Sequence, residues 1–395
     1  MHKLSGTIQR YDWGTTDAIP KLLGREPDGA PFAEYWLGAH ELGPARIACG
    51  DLATLLRENP EVLGARNLEV YGARLPFLLK FLSAARPLSL QAHPTREQAE
   101  DGFAREEAAG VATTSPERVY CDDWPKPEIL IALDTFETLN GFREPRRTAE
   151  LFAGLGVADE LASVIGPLTE RKGAAALAEV FLDVLSLDGQ RSHLLDVLGS
   201  AAVRHVNDDG PLGEFARTAV ELDGAFPGDR GILAALLLNR VTLQPGEGYY
   251  VAPGQMHAYL RGTGIEVMAS SDNVIRGGLT AKHIDVAELV RVVDFTPVEP
   301  KIARPESIRP GVERYETPCQ EFDVWRVTAE PAQEPVRLPG SLSARIVLVV
   351  SGQVTLAAGE AVTLEGGEAV FLRADEVDTT LCGDGVAFVT SSGLR

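Results

Sequence analysis

Hydrophobic patterning divides the chain into three regimes. Up to about residue 135, short apolar runs alternate with amphipathic stretches. "ARIACG" (45–50) and "EILIAL" (128–133) read as strands, whereas "LATLLREN" (52–59) and "TREQAEDGFAREEAAG" (95–110) carry helical spacing. In the latter, Thr95 followed by Gln98 has the form of a capping box, and Pro94 sits just ahead of it. Over 145–240, "RRTAELFAGL", "ADELASVIGPL", "AAALAEVFLDVLSL", "QRSHLLDVLGSAAVRHV" and "LGEFARTAVELDGAF" place Leu, Val, Phe and Ala at helical intervals between Gly, Pro and Asp breaks. This predicts a helical block, in which His193 and His205 read as surface or packing residues.

After residue 240 the period changes to two. "RVTLQPGEGYYVAPGQMHAYLRG" and its continuation give short strands between glycine and proline turns. A Pro-rich stretch at 297–310 follows. Then come "EFDVWRVTAE", "ARIVLVVSGQVTLAAGEAVTLEGGEAVFLRADE" and "GVAFVTSS". Alternation with regularly spaced turns predicts a barrel or sandwich. Both β regions contain a Gly-Glu turn leading into a strand, as a distant internal duplication would.

Composition narrows the function. The 395 residues carry a net charge of -20, which argues against nucleic acid or anionic membrane as a general partner. No apolar run approaches the roughly 18 residues of a membrane span, and "MHKLSGTIQRYDWG" lacks a signal-peptide core. Cys49, Cys121, Cys319 and Cys382 are widely spaced and read as reduced, small, buried residues of a cytoplasmic protein. Of 37 Lys and Arg residues only seven are Lys: 3, 21, 80, 126, 172, 282 and 301. Where arginine is the default cation, a lysine hints at a need for a compact charge with a tunable pKa.

Nucleotide-binding GxxxxGK[ST] and GxGxxG, zincin HExxH and esterase GxSxG patterns are absent. What remains is a set of scattered donors. Gln91 and His93 in "SLQAHP" share one side of an extended segment; a hydrogen-bonded polar pair is the plainer reading, half of a metal site the sharper one. Glu128 opens an apolar strand in "DWPKPEILIAL", and Lys126 two residues earlier shares its face. Buried glutamates are rare unless paired or metal-bound, although an exposed Glu–Lys pair at a strand entrance would look the same. "LQPGEGYYVAPGQMHAY" resembles the second signature of cupin barrels, in which a turn aims a histidine, here His257, into the barrel mouth. Two imidazoles, a carboxylate and an amide oxygen suit zinc, and also Mn, Fe or Co. In "GTGIEVMASSDNVIRGGLTAKHIDV", Glu266 is expected on a returning strand after His257. Arg276 and Lys282 flank a glycine-bearing loop fit for an anion, phosphate above all.

Taken together, "YDWG", "EYWLGAHELGPA", "LPFLLKFLSAARPLSLQAHP", "KPEILIAL", "FETLNGFRE", "APGQMHAY" and "GIEVMASSDNVIRGGLTAKHIDV" resemble the type I phosphomannose isomerase family over nearly the whole chain. The resemblance implies a mainly β fold with an inserted α domain. Its parts would be a cupin-type catalytic unit (1–144 and 241–300), a helical insertion (145–240) and a C-terminal cupin-like β unit (301–395). That last unit has no histidine and would be metal-free. The resemblance also implies one zinc on Gln91, His93, Glu128 and His257, with Ser89, Lys282 and Tyr259 binding substrate. Arg276, Glu266, Lys126 and Lys80 would carry the chemistry: interconversion of mannose 6-phosphate and fructose 6-phosphate through an enediol. Glu266, Lys80 and Lys126 are the candidate bases, a lysine qualifying if burial beside zinc lowers its pKa. Arg276 would either hold the phosphate or stabilise the enediolate. "RGGLTAK" stands where the family usually has "RAGLTPK", a change that loosens the loop without removing a charge, and His40 in "EYWLGAHELGPA" reads as structural. The expected partner is a small sugar phosphate, with no nucleic acid and no membrane, and the expected assembly is a monomer or weak homodimer. A non-catalytic sugar-phosphate-binding cupin and a cupin metalloenzyme of different chemistry stand as alternatives.

Overall fold

Alternation along the strands gives the larger of two main sheets a front and a back that do different work. The computed structural model describes all residues except 113, 188–192 and 395. The strands of this sheet are β1 (Thr7–Gln9), β2 (Glu34–Leu37), β3 (Phe77–Ala84), β4 (Leu90–Ala92), β5 (Glu128–Ala132), β6 (Phe136–Phe142), β7 (Leu238–Leu243), β8 (Gly248–Val251), β9 (His257–Ala269) and β10 (Ile275–Gly278). The main path runs β7-β6-β9-β3-β2-β1, with β8 beside β5 and β10 beside β4. The 13-residue β9 is the hub. Its first residues pair with β4 and β6, and its second half pairs with β3 and β5. The hand-over falls at Gly262, where φ is +124° and a Cβ would lie 2.7 Å from the Phe136 Cα. Only glycine permits that conformation and approach together. Glu266 therefore lies on the same strand as His257, and not on a returning one as expected.

Opposed residues of antiparallel neighbours share a face, and successive residues alternate. On the back of the β2-β3-β9-β5 half, Tyr35, Leu37, Phe77, Leu79, Phe81, Ile129, Ile131, Ile265 and Val267 join one core with Tyr315, Ile346 and Phe371 of the second sheet. On the back of the β4-β9-β6 half, Leu90, Ala92, Leu139, Ala258 and Leu260 join a second core with Phe152, Phe181 and Phe215 of the helices. With both backs covered, the polar residues of the sheet collect on its front.

The helical stretch holds Pro145–Gly154, Ala162–Ile165, Pro167–Glu170, Gly173–Leu185, His193–His205, Gly210–Ala225 and Gly231–Ala235. "ADELASVIGPL" does not form one helix. It breaks at Gly166–Pro167, where proline cannot donate to the preceding turn. The start of "QRSHLLDVLGSAAVRHV", residues 190–192, lies outside the described residues. The stretch gives way to β7 at Leu238, three residues before the expected start of the β region at 241. The helix Arg96–Ala108 starts on a complete capping box between Thr95 and Gln98.

The second sheet has nine strands centred on Arg345–Ala358 and Thr380–Ser391. His2–Leu4 belongs to it, pairing with Ala369–Phe371, so the chain crosses between sheets immediately after its first strand. "ARIACG" forms two two-residue strands, Arg46–Ile47 and Gly50–Asp51, and not one. The four cysteines are free but not buried: Cys49 and Cys121 are exposed, Cys319 and Cys382 partly so. Among the described residues, no helix is long and apolar enough to cross a membrane.

Candidate metal centre and the polar face around it

The front of the sheet carries two polar rows that meet on β9. In one, Trp36 of β2 is opposite Lys80 of β3, and Lys80 is opposite Glu266 of β9. Glu266 in turn is opposite Leu130 of β5, and Glu128, two residues before Leu130, shares that face. In the other, Arg276 of β10 is opposite Gln91 of β4, Gln91 is opposite His257 of β9, and His257 is also opposite Asn140 of β6.

Three of the predicted ligands converge. The Nε2 atoms of His93 and His257 lie 3.3 and 3.0 Å from the two carboxylate oxygens of Glu128, and all three side chains are buried. Each histidine is held from behind by a backbone carbonyl. His93 Nδ1 lies 2.9 Å from the Asn273 oxygen, and His257 Nδ1 3.2 Å from the Gln255 oxygen. A proton on Nδ1 satisfies those carbonyls and leaves the Nε2 lone pair facing a carboxylate. Two acceptors set against an acid call for a cation between them. The three donor atoms lie within 4.8 Å of one another, as ligands of one ion require. Gln91 donates its amide nitrogen to Ser89 Oγ at 3.1 Å, which leaves its carbonyl oxygen without a protein partner among the described residues. The donor set therefore fits a divalent metal.

Electrostatics favour ligand-ready protonation states. Burial, aided by the Lys126 ammonium, pushes His93 down to about 4, so its imidazole is neutral at pH 7. Burial works against the Glu128 anion, but the Lys126 ammonium outweighs it and holds the carboxyl well below its ordinary range. Lys126 Nζ sits 3.0 Å from Glu128 and 3.3 Å from His93 Nε2, and Tyr259 donates to Glu128 at 3.1 Å. Tyr259 is raised well above the usual phenol value, by burial first and by Glu128 and Glu266 second, so it remains a donor.

Beside this centre is a buried ion triad. Lys80 Nζ lies 2.9 Å from Glu266 and 3.4 Å from Glu34. Burial alone would lower Lys80, yet Glu266 and Glu34 hold it well above its ordinary value. Lys80 therefore stays an ammonium at neutral pH, so the condition for a lysine base, a lowered pKa, is not met at this residue. Glu266 is raised, because burial and the Glu128 charge outweigh the pull of Lys80. Arg276 and Lys282 share the wall of a cavity of about 420 Å³. Burial lowers Arg276, and the neighbouring Arg276 charge lowers Lys282.

Sequence reasoning missed three residues here. Glu34 stands in an apolar strand just as Glu128 does, and the same reasoning about buried glutamates would have found it. Asn273 supplies the carbonyl behind His93 and ties its amide to Asp122 and Trp124. Asn140, opposite His257, has a buried amide oxygen with no partner among the described residues. His40 is buried, 3.2 Å from Asp272 and edge-on to Trp36, in keeping with a structural role.

Two histidines and a carboxylate, brought together on an antiparallel sheet, define a protein built to hold a divalent metal. Comparison with known proteins gives the family. Residues 1–145 match the model of the phosphomannose isomerase type I catalytic domain. The chain is 39% identical over 303 residues to mannose-6-phosphate isomerase of Escherichia coli, a match covering 75% of each chain. It is 30% identical over 383 residues to the Rattus norvegicus enzyme, covering 88% of this chain and 87% of that one. Its fold superposes on the apo form of mannose 6-phosphate isomerase from Salmonella typhimurium with a TM-score of 0.89 at 32% identity, covering 100% of this chain and 99% of that one. A zinc-bound holo structure of mannose 6-phosphate isomerase gives 0.88 at 32% identity with the same coverage. The chain belongs to the mannose-6-phosphate isomerase family.

Proposed function

We propose that this chain is a zinc-dependent aldose–ketose isomerase of mannose metabolism that interconverts mannose 6-phosphate and fructose 6-phosphate. The observation that carries the reading is the convergence of His93 and His257 on Glu128, one strand from a buried Glu266 of raised pKa. Zinc on His93, Glu128, His257 and the Gln91 carbonyl would act as a Lewis acid toward the substrate's carbonyl and hydroxyl oxygens.

In the reaction, the open-chain aldose loses its C2 proton to a base while the C1 carbonyl oxygen gains charge. The C2 hydroxyl then gives its proton to O1, and the base returns the abstracted proton to C1, leaving the ketone at C2 and a hydroxyl at C1. Glu266 is the proposed base: it is buried, faces the metal residues, and its raised pKa brings it toward the working pH. Lys80 holds Glu266 by one oxygen, and Lys126 adds positive charge where the enediolate forms. Arg276 is opposite Gln91, and Gln91 is opposite His257, so Arg276 borders the proposed ligand set from the next strand. With Lys282 on the same cavity wall, phosphate binding is the role proposed for Arg276; Ser89 lies beside Gln91 and Tyr259 beside Glu128 to orient sugar hydroxyls.

The architecture proposed is two cupin-type β units with a helical insertion. The first unit covers about 5–144 and 238–300, the insertion 145–237, and the second unit 301–395 together with the first strand. A cytoplasmic location suits a sugar-phosphate substrate and free thiols. The test is incorporation of solvent deuterium at C2 of mannose 6-phosphate. Zinc-loaded wild type should exchange and turn over, and Glu266→Gln should lose both by about 10²-fold or more. Wild-type exchange in Glu266→Gln would remove Glu266 as the base. Binding without exchange in the wild type would favour a sugar-phosphate sensor.

A further inference from the structure

The proposed chemistry uses Glu266 and Lys80 but gives Glu34 no task. Glu34 is a buried carboxylate on β2, two strands from Glu266. Its Oε2 accepts from the Trp36 indole at 2.7 Å, which fixes its rotamer, and its Oε1 lies 3.4 Å from Lys80 Nζ. The Trp36 ring also lies under the ammonium, 5.4 Å from Nζ to centroid. One buried cation thus serves two buried anions, with the closer contact, 2.9 Å, going to Glu266. A structural ion pair needs one acid; a second one, locked in place by an indole, divides the cation.

We infer that Glu34 is a positioning residue for the isomerisation: it competes for Lys80 and so keeps Glu266 from complete pairing, leaving that carboxylate free to accept a proton from carbon. Every charged or titratable group facing Glu266 enters the balance. Lys80 and Glu34 face it from β3 and β2, Glu128 and Lys126 from β5 and the segment before it, and Tyr259 from its own strand. Of these, Glu34 is the one with no contact to the three proposed ligands His93, Glu128 and His257 that also touches Lys80. The inference rests on Glu266 being the base, and the experiment separates the two.

In zinc-loaded Glu34→Gln, the amide keeps the volume and still accepts from Trp36, but it no longer competes for the ammonium. Lys80 then pairs fully with Glu266. The ¹³C-detected titration of the Glu266 carboxyl should move to lower pH by about half a unit or more. The acid limb of the kcat profile should move with it, and kcat on the plateau should fall several-fold as the base weakens, with KM for mannose 6-phosphate unchanged. A merely structural role for Glu34 would move neither the titration nor the acid limb. Glu34→Asp, with its carboxylate drawn back from Lys80, should shift both in the same direction by less, and it serves if the glutamine variant does not fold. An unmoved Glu266 titration overturns the inference. A titration that moves while the acid limb stays shows that Glu34 tunes Glu266 but that Glu266 is not the base, and that outcome overturns both.

Discussion

Replacing Lys80 by methionine exposes the electrostatics of the front face most severely. The ammonium lies 2.9 Å from Glu266 and 3.4 Å from Glu34, and the three side chains are 4–9% exposed. Methionine keeps most of the volume and none of the charge. Removing one partner from a buried ion pair costs about 3–5 kcal/mol, because the other charge is left uncompensated. Here two anions are stranded, and the variant relieves the strain by taking up a proton. Glu266 already has a raised pKa through burial, and losing Lys80 raises it further. A carboxyl whose folded pKa exceeds its unfolded value, about 4.3, contributes stability that is full below the unfolded value and is lost as pH rises through the folded one. The deficit of Lys80→Met relative to wild type should therefore be about 3–5 kcal/mol at pH 8 and shrink toward pH 5 as Glu266 takes up its proton. Urea unfolding of both proteins at the two pH values reads this directly. An equal deficit at pH 5 and pH 8, or none at either, would refute the reasoning.

Other consequences follow from the same geometry. Tyr259→Phe removes the hydroxyl that donates to Glu128 and should weaken zinc binding about 10–100-fold in competition with a chelating dye, with the fold intact by circular dichroism. His93 is lowered to about 4 against about 6.5 when unfolded, so metal-free protein should lose stability as pH falls from 6.5 toward 4. His93→Asn should flatten that slope; an unchanged slope in this variant assigns it to another group. Lys282→Ala and Arg276→Ala should each lower kcat/KM for mannose 6-phosphate by roughly 10–150-fold, the worth of a charge-assisted hydrogen bond, and lower it far less for unphosphorylated mannose.

Much of this organisation was legible in the sequence because it is written in local patterns. The change to period-two alternation after residue 240 marks strands, and Glu128 at the head of the apolar run "EILIAL" marks a polar position on one of them. The Thr95–Gln98 capping box fixes a helix start, and Pro-Gly-x-x-His places a histidine at the start of β9. The rest depends on contacts between distant segments. His2–Leu4 pairs with a strand more than 360 residues later, which no local pattern announces. That Glu266 shares a strand with His257 turns on Gly262 passing close to Phe136, a tertiary contact. The state of Lys80 depends on the same kind of contact: burial alone lowers a lysine, and the sign reverses only when Glu266 and Glu34 arrive from two other strands.

The central claim is that one divalent metal on His93, Glu128 and His257 is required for isomerisation. The most direct test is to strip the protein with chelator, add zinc back stepwise, and follow bound zinc and fructose 6-phosphate formation together. The account predicts no turnover in stripped protein, recovery in proportion to zinc up to one per chain, and neither binding nor recovery in His257→Ala. Full turnover after stripping, or equal zinc binding by His257→Ala, would contradict it.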